Sequence, residues 1–135
     1  TLDEKSEGKN GETLLVVCGP MVKEALAAKK LLNSEGINVT VFENIEINNP
    51  QIEKIQRLLK SNRHRLVTVE DHQIVAGMGS ILCHELLRKG EQFKYLGLGI
   101  EGKFGRSAYK ASHLYENMGL SAKMIAERVK NFINI

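Results

Sequence analysis

The stretch of residues 67–80, VTVEDHQIVAGMGS, has the residue types in this chain that most suggest chemistry. A short apolar, β-branched run ends in two acidic residues and a histidine, and two glycines and a serine follow. The residues of interest are Glu70, Asp71, His72, Gly77, Gly79 and Ser80. In open α/β sheets, ligands bind beyond the carboxyl ends of the strands, and the free N–H groups at a helix start can hold an anion. One interpretation is therefore a carboxylate and an imidazole that face a small anion pocket.

The same pattern also fits a simple junction between a strand and a helix. Glycines allow a tight turn and close packing of a helix on a strand. In that case Gly79 or Ser80 caps the helix, Asp71 bonds loop N–H groups and His72 docks on a neighbouring surface. The residue types alone leave both interpretations open.

Other motifs give weaker signals for chemistry. Gly97, Gly99 and Gly102 match the letters of a dinucleotide fingerprint, but the sequence IEGKFGRS that follows does not predict the helix that this motif requires. Neither a P-loop nor a GxSxG motif occurs. Cys18 and Cys83 lie far apart in apolar patterns, without zinc-ligand spacing, and we expect free buried thiols in a reducing compartment. The sequence thus predicts no catalytic residue and no metal ligand, and His64, His84 and His113 are interpreted as structural.

Size and charge exclude several classes of function. With 135 residues, 42% of them hydrophobic and 26% charged, the chain suits one globular domain. It contains no apolar run of the roughly 18–20 residues that span a bilayer, and no signal peptide is visible, so we expect a cytoplasmic protein without a membrane partner. The basic cluster KSNRHR, residues 60–65, has no interleaved aromatic residues. It is interpreted as a solvated helix end, and no nucleic-acid partner is expected.

Strand-like and helix-like segments alternate along the chain. Strands are predicted at residues 13–19, 37–43, 65–70 and 92–100, and helices at about 20–35, from Asn49 with Pro50 in its first turn, at 79–90, at 112–118 and at 121–133. The expected inward positions are Met21, Val22, Ala25, Leu26, Ala28, Leu32, Ile52, Ile55, Leu59, Ile81, Leu82, Leu86, Ile125, Val129 and Phe132. This alternation predicts parallel strand pairing in an α/β fold, a three-layer α/β/α sandwich. Residues 1–12 are expected to be a polar N-terminal segment or a short edge strand, and residues 13–135 the domain.

Three blocks of the sequence resemble a known family. They are TLLVVCGPMVKEALAAKKLL…GINVTV, RLVTVEDHQIVAGMGSILCHELL and FGRSAYKASHLYENMGLSAKMIAERV. In this order they resemble the C-terminal domain of transketolase-like, thiamine-diphosphate-dependent enzymes, and VEDH with its downstream glycines looks most like transketolase itself. The C-terminal domains of 1-deoxyxylulose-5-phosphate synthase and of 2-oxo-acid dehydrogenase β subunits are close alternatives. The resemblance implies a mostly parallel, five-stranded sheet whose first strand is antiparallel and lies within residues 2–12.

The resemblance also implies a function. The intact enzyme would transfer a two-carbon ketol unit between sugar phosphates, with thiamine diphosphate and Mg²⁺ held by other domains. This chain would bind no cofactor, would be inactive alone, and would support assembly with the remaining domains or a separate N-terminal subunit, and of a homodimer. Residues 70–80 would then be a strand–turn–helix junction that faces another domain or subunit. An alternative of another class is a non-catalytic α/β module that binds an anionic ligand or a partner protein at the same residues.

Overall fold

A computed structural model describes residues 11–43, 49–73, 77–100 and 121–134 of the chain. Of the side chains in these ranges, those of Pro20, Asn49, Pro50, residues 71–73 and Ile100 are not described. The elements, in chain order, are β1 (Thr13–Val17), a 3₁₀ turn (Gly19–Met21), α1 (Val22–Ser34), β2 (Val39–Glu43), α2 (Asn49–Lys60), β3 (Arg65–Gln73), α3 (Met78–Arg88), β4 (Lys94–Ile100) and α4 (Ala122–Ile133). The helix expected at 112–118 falls outside the described residues.

The described strands form one sheet with the order β2-β1-β3-β4. All three neighbouring pairs are parallel, and Leu15 of β1 lies opposite both Val41 and Val67. Parallel neighbours need crossover connections, which explains why helices alternate with the strands. The predicted α/β class and parallel sheet are confirmed.

The strand count differs from the expected five. The described part of the sheet has four strands, and none of them is antiparallel. Gly11 and Glu12 are not in a strand, and the rest of the segment expected to supply the extra strand, residues 2–10, lies outside the described residues. The family pattern was the basis for that strand, since the polar composition of the segment gives it little support.

A separate apolar core covers each face of the sheet. Leu15 and Val17 of β1 face α1 and α4, whereas Leu14 and Val16 face α2 and α3. Successive side chains of a strand point to opposite faces, so the apolar run of β1 serves both cores. The three-layer arrangement is therefore confirmed.

The predicted inward positions are correct with two exceptions. The α1 stripe of Ala25, Ala28 and Leu32 is fully buried, as are Leu82 and Leu86 on α3. Leu26 and Ile81, which we expected to face inward, are 41% and 52% exposed. Gly79, Leu82 and Leu86 define the buried face of α3, and a residue one position before Leu82 is rotated about 100° away from that face.

Candidate functional site

Asp71 and His72 lie inside β3, although the strand was predicted to end at residue 70. The strand continues to Gln73. Val69 pairs with Leu98 and Gln73 pairs with Ile100, so four steps along β3 match two steps along β4. Extra residues on one strand form a bulge, which locally changes the direction of side chains. The pairing irregularity thus begins at Glu70, the first residue after Val69.

The carboxylate of Glu70 binds the start of α3. Its Oε1 accepts a hydrogen bond from the Met78 backbone N–H at 2.7 Å, and its Oε2 accepts one from the Gly79 N–H at 2.8 Å. The residue is only 1% exposed. The N-cap residue Gly77 supplies no side-chain acceptor, so a carboxylate from β3 takes that role, in the position that the helix dipole favours for a negative charge.

Gly79 is required at its position because of space. A Cβ atom there would lie 2.5 Å from both Thr68 Oγ1 and the Tyr95 hydroxyl, and 2.9 Å from Glu70 Oε2. The two hydroxyls also bond each other at 2.6 Å. The first turn of α3 therefore lies directly against polar groups of β3 and β4, and the absence of a side chain permits this approach.

Two ionisable groups near Glu70 and Thr68 are held in their neutral forms. Burial raises the pKa of the Cys83 thiol to about 11, although its hydrogen bond with Tyr95 opposes the change and the Glu70 charge adds to it. Burial likewise raises the pKa of Tyr95 to about 12, opposed by the hydrogen bond with Thr68. Neither group is suited to act as a nucleophile or base near neutral pH.

The structure brings three of the predicted residues together and adds three others. Glu70, Gly77 and Gly79 meet at the start of α3, and Ser80 lies half-buried in the first turn. The side chains of Asp71 and His72 lie outside the described part of the chain. The sequence analysis did not identify Thr68, Cys83 and Tyr95 as members of this cluster. The period of two along β3, which places Thr68 on the same face as Glu70, is a signal that could have identified Thr68.

This cluster of Glu70, Gly79, Thr68, Tyr95 and Cys83, here called the Glu70 cluster, joins β3, α3 and β4. The Glu70 carboxylate is buried and bonded at both oxygens. The two α3 amides that an anion would use are thereby taken by the chain itself. In the described residues, no group of three or more His, Cys, Asp or Glu side chains could hold a metal ion, and no helix there is long and apolar enough to cross a bilayer.

The fold and the Glu70 cluster together define a parallel α/β/α domain whose buried β3 carboxylate serves the structure. The family model described as "Transketolase, C-terminal domain" matches residues 4–125. The chain belongs to this family of transketolase C-terminal domains.

Two curated relatives illustrate the range of the family. The chain is 36% identical over 121 residues to a protein of Methanocaldococcus jannaschii named as a transketolase C-terminal section, covering 89% of this chain and 37% of that protein. It is 32% identical over 119 residues to 1-deoxy-D-xylulose-5-phosphate synthase of Chlorobium luteolum, covering 88% of this chain and 18% of the synthase. The chain thus spans well under half the length of these relatives.

Solved structures show the same fold. A split-gene transketolase, solved as an inactive β4 tetramer, superposes with a TM-score of 0.80 at 27% identity, covering 93% of this chain and 41% of that one. Transketolase of Pichia stipitis superposes with a TM-score of 0.61 at 16% identity, covering 95% of this chain and 17% of that one. The second likeness concerns the fold alone.

Proposed function

We propose that this chain is the C-terminal domain, or a split subunit, of an enzyme that transfers a two-carbon ketol unit between sugar phosphates. The observation that carries the proposal is the family match over residues 4–125, together with 36% identity to a protein itself named as a transketolase C-terminal section. The chain's role in that enzyme is to complete the subunit and support its assembly.

Other domains supply the cofactor in this proposal. Thiamine diphosphate, bound with Mg²⁺ in the intact enzyme, would carry the ketol unit during transfer. The described residues of this chain do not fit the cofactor, because Glu70 is already bonded to α3 and no metal-ligand group is present among them. The described residues of this chain therefore take no chemical step in the proposal.

The partner is the remainder of a transketolase, either in the same polypeptide or as a separate N-terminal subunit, and the intact enzyme is a homodimer in this proposal. The split-gene transketolase supports a separate subunit, since its structure is described as an inactive tetramer of four β subunits. The name of the Methanocaldococcus jannaschii relative, a transketolase C-terminal section, supports the same arrangement.

A second candidate is the synthesis of 1-deoxy-D-xylulose 5-phosphate. The 32% identity to the synthase of Chlorobium luteolum favours it. Both candidates place this chain at the same position in a thiamine-diphosphate enzyme, and they differ in the product formed.

The size of the native polypeptide in its source cells, detected with an antibody against this chain, tests the proposal. A native polypeptide several times larger than this chain indicates a C-terminal domain. A native polypeptide of the same size that co-purifies with a thiamine-diphosphate-binding polypeptide indicates a split subunit. The purified assembly is then assayed for ketol transfer and for formation of 1-deoxy-D-xylulose 5-phosphate.

Each assay outcome has a defined meaning. Ketol transfer supports the first candidate, whereas formation of the deoxy sugar phosphate supports the second. A band of equal size, without such a partner and without either activity, contradicts both and favours a non-catalytic α/β module. In that case Asp71→Ala and His72→Ala distinguish two roles for these residues. Weaker protein association in the variants indicates an interface, whereas weaker small-ligand binding indicates a pocket.

A further inference from the structure

A second polar region lies at the end of the sheet opposite to the Glu70 cluster. A pocket of about 690 Å³ is lined by Arg63, His64 and Arg65 on one side and by Gln92, Phe93 and Lys94 on the other. The pocket is shallow and open to solvent, so a ligand would lie against its walls without being enclosed. Arg65 is the first residue of β3 and lies about 17 Å from Glu70 at 3.3 Å per strand residue, so the two regions are separate.

The backbone around this pocket, here called the amino-edge pocket, is held in place. Arg63 and His64 adopt φ values of 57° and 54°, in the left-handed region that residues with a Cβ rarely occupy. The His64 N–H donates to the Leu59 carbonyl at 2.9 Å, and the Lys94 N–H donates to the His64 carbonyl at 2.9 Å. The second bond joins the two walls, so the pocket exists before any ligand arrives.

The pocket has more positive than negative charge. Arg63 is exposed, Arg65 is partly buried, and Lys94 is exposed on the facing wall. Among the described residues, the Glu12 carboxylate offsets part of this charge, at 3.0 Å from Arg65 Nη1 and 3.6 Å from Arg63 Nε. The neighbouring Glu91 is not among the lining residues, and its carboxylate accepts from Gln56 Nε2 on α2 at 2.8 Å.

Uncharged groups that can contact an organic molecule lie beside the cations. Phe93 is half-buried against the core between the sheet and helices α2 and α3, and the amide of Gln92 is exposed beside it. Guanidinium and ammonium groups bind phosphate through charge-assisted hydrogen bonds. An aromatic ring next to them offers a flat apolar surface to the rest of a ligand.

We propose that the amino-edge pocket binds a phosphate monoester of a small organic molecule, with the phosphate on Arg63 and Lys94 and the organic part against Phe93. The shared chemistry is the phosphate monoester, which a sugar phosphate or a nucleotide can supply. The pocket lies at the amino ends of β3 and β4, whereas Glu70 lies towards the carboxyl end of β3. A ligand in the pocket would therefore not contact the Glu70 carboxylate. The inference does not depend on the reaction of the intact enzyme.

Calorimetric titration of the 135-residue chain at low salt tests this inference. The probes are ribose 5-phosphate, AMP and inorganic phosphate, with ribose and adenosine as unphosphorylated controls. We expect saturable binding of at least one phosphate ester and none of ribose or adenosine. The ester that binds more tightly shows whether a sugar phosphate or a nucleotide is the preferred ligand. No saturable binding of either ester, or equal binding of the unphosphorylated controls, overturns the proposal, and equally tight binding of inorganic phosphate contradicts the role of Phe93.

Two variants and one control locate the site. Arg63→Gly removes the guanidinium from a backbone position that glycine adopts without steric cost, so its melting temperature should be unchanged or higher. Arg63→Gly and Lys94→Ala should each weaken ester binding by about tenfold, the loss of one charge-assisted contact. Lys30→Ala removes one exposed cation from α1 and should leave the affinity unchanged. An equal loss in all three, or no loss in the first two, overturns the assignment to this pocket.

Discussion

At the scale of single residues, Glu70 shows how a carboxylate in an apparent active-site motif can serve the fold. Its two oxygens satisfy two of the N–H groups at the start of α3, which have no partner within the helix. The cost of burying the charge is offset by these charge-assisted bonds. The stability of the chain should therefore depend on the two acceptor oxygens of this side chain and not only on its shape.

Glu70→Gln should destabilise the chain by about 2–3 kcal/mol, because the new NH₂ group faces a backbone N–H where an acceptor is needed. Urea unfolding followed by circular dichroism measures the change. Glu53→Gln, an exposed glutamate on α2, is the control and should change stability by less than about 0.5 kcal/mol. Equal effects of the two substitutions would contradict the assigned role of Glu70.

Gly79→Ala should destabilise the chain by about 1–3 kcal/mol through overpacking, even though alanine favours helices by about 1 kcal/mol. The added methyl group would meet the hydroxyls of Thr68 and Tyr95. Removing one of these hydroxyls with Tyr95→Phe makes room, so the double variant should lose less stability than the sum of the single ones. Additive losses in urea unfolding would exclude this cause.

Alkaline pH should weaken the fold through Cys83 and Tyr95. Their folded-state pKa values of about 11 and about 12 lie above the ordinary values of 9.0 and 10.0. Between these limits the folded chain binds more protons than the unfolded one, so stability is fully present below pH 9.0 and falls as the pH rises towards 12. The urea midpoint measured across this range should decline, and the decline should be shallower in Cys83→Ala and Tyr95→Phe. Parallel curves for all three proteins would contradict this assignment.

At the scale of elements, α4 illustrates a helix whose start is fixed by two acceptors. Ser121 Oγ accepts from the Met124 N–H at 3.3 Å, and Glu24 Oε2 of α1 accepts from the Ala122 N–H at 2.8 Å. At its other end, Lys130 pairs with Glu35 at 2.7 Å on the surface. The contact from Glu24 connects residues 98 positions apart in the chain, so it anchors α4 to α1.

Glu24→Ala should cost about 1 kcal/mol and expose the first turn of α4, because the Ala122 N–H loses its acceptor. Hydrogen exchange, read for each backbone amide, should show faster exchange at Ala122 and its neighbours. Glu127→Ala changes an exposed residue of α4 and should leave the exchange of that turn unchanged. Equal exchange in Glu24→Ala and the native chain would show that Ser121 alone holds the helix start.

Elements were easier to predict than contacts in this chain. Periodicity located the strands and helices, and Gly36 and Gly90, with φ values of 80° and 81°, lie at the predicted helix ends. The extension of β3 through residues 71–73 was missed, because polar residues after an apolar run resemble a strand end. Tyr95 and Cys83 join Glu70 only through the pairing of β3 with β4 and the docking of α3, which no local pattern reports.

At the scale of the whole molecule, the proposed function predicts an inert chain in isolation. Calorimetric titration of thiamine diphosphate with Mg²⁺ into the 135-residue chain should give no binding, since the described residues provide no metal-ligand group. The assembled enzyme with its partner domains is the positive control. Saturable binding at micromolar cofactor to the chain alone would contradict its assembly role.

The central position of β1 has a consequence for how the chain folds. Its last four residues, Leu14 to Val17, are all apolar and buried, so a slip by one residue would exchange the two cores and still bury apolar side chains. Hydrophobic burial alone therefore cannot reject a misaligned strand. A side-chain bond at its start can, because Thr13 Oγ1 donates to the Arg65 carbonyl at 3.1 Å and a slip would separate the two groups. Correct alignment of the sheet is thus favoured by one polar residue at the margin of its most apolar described strand.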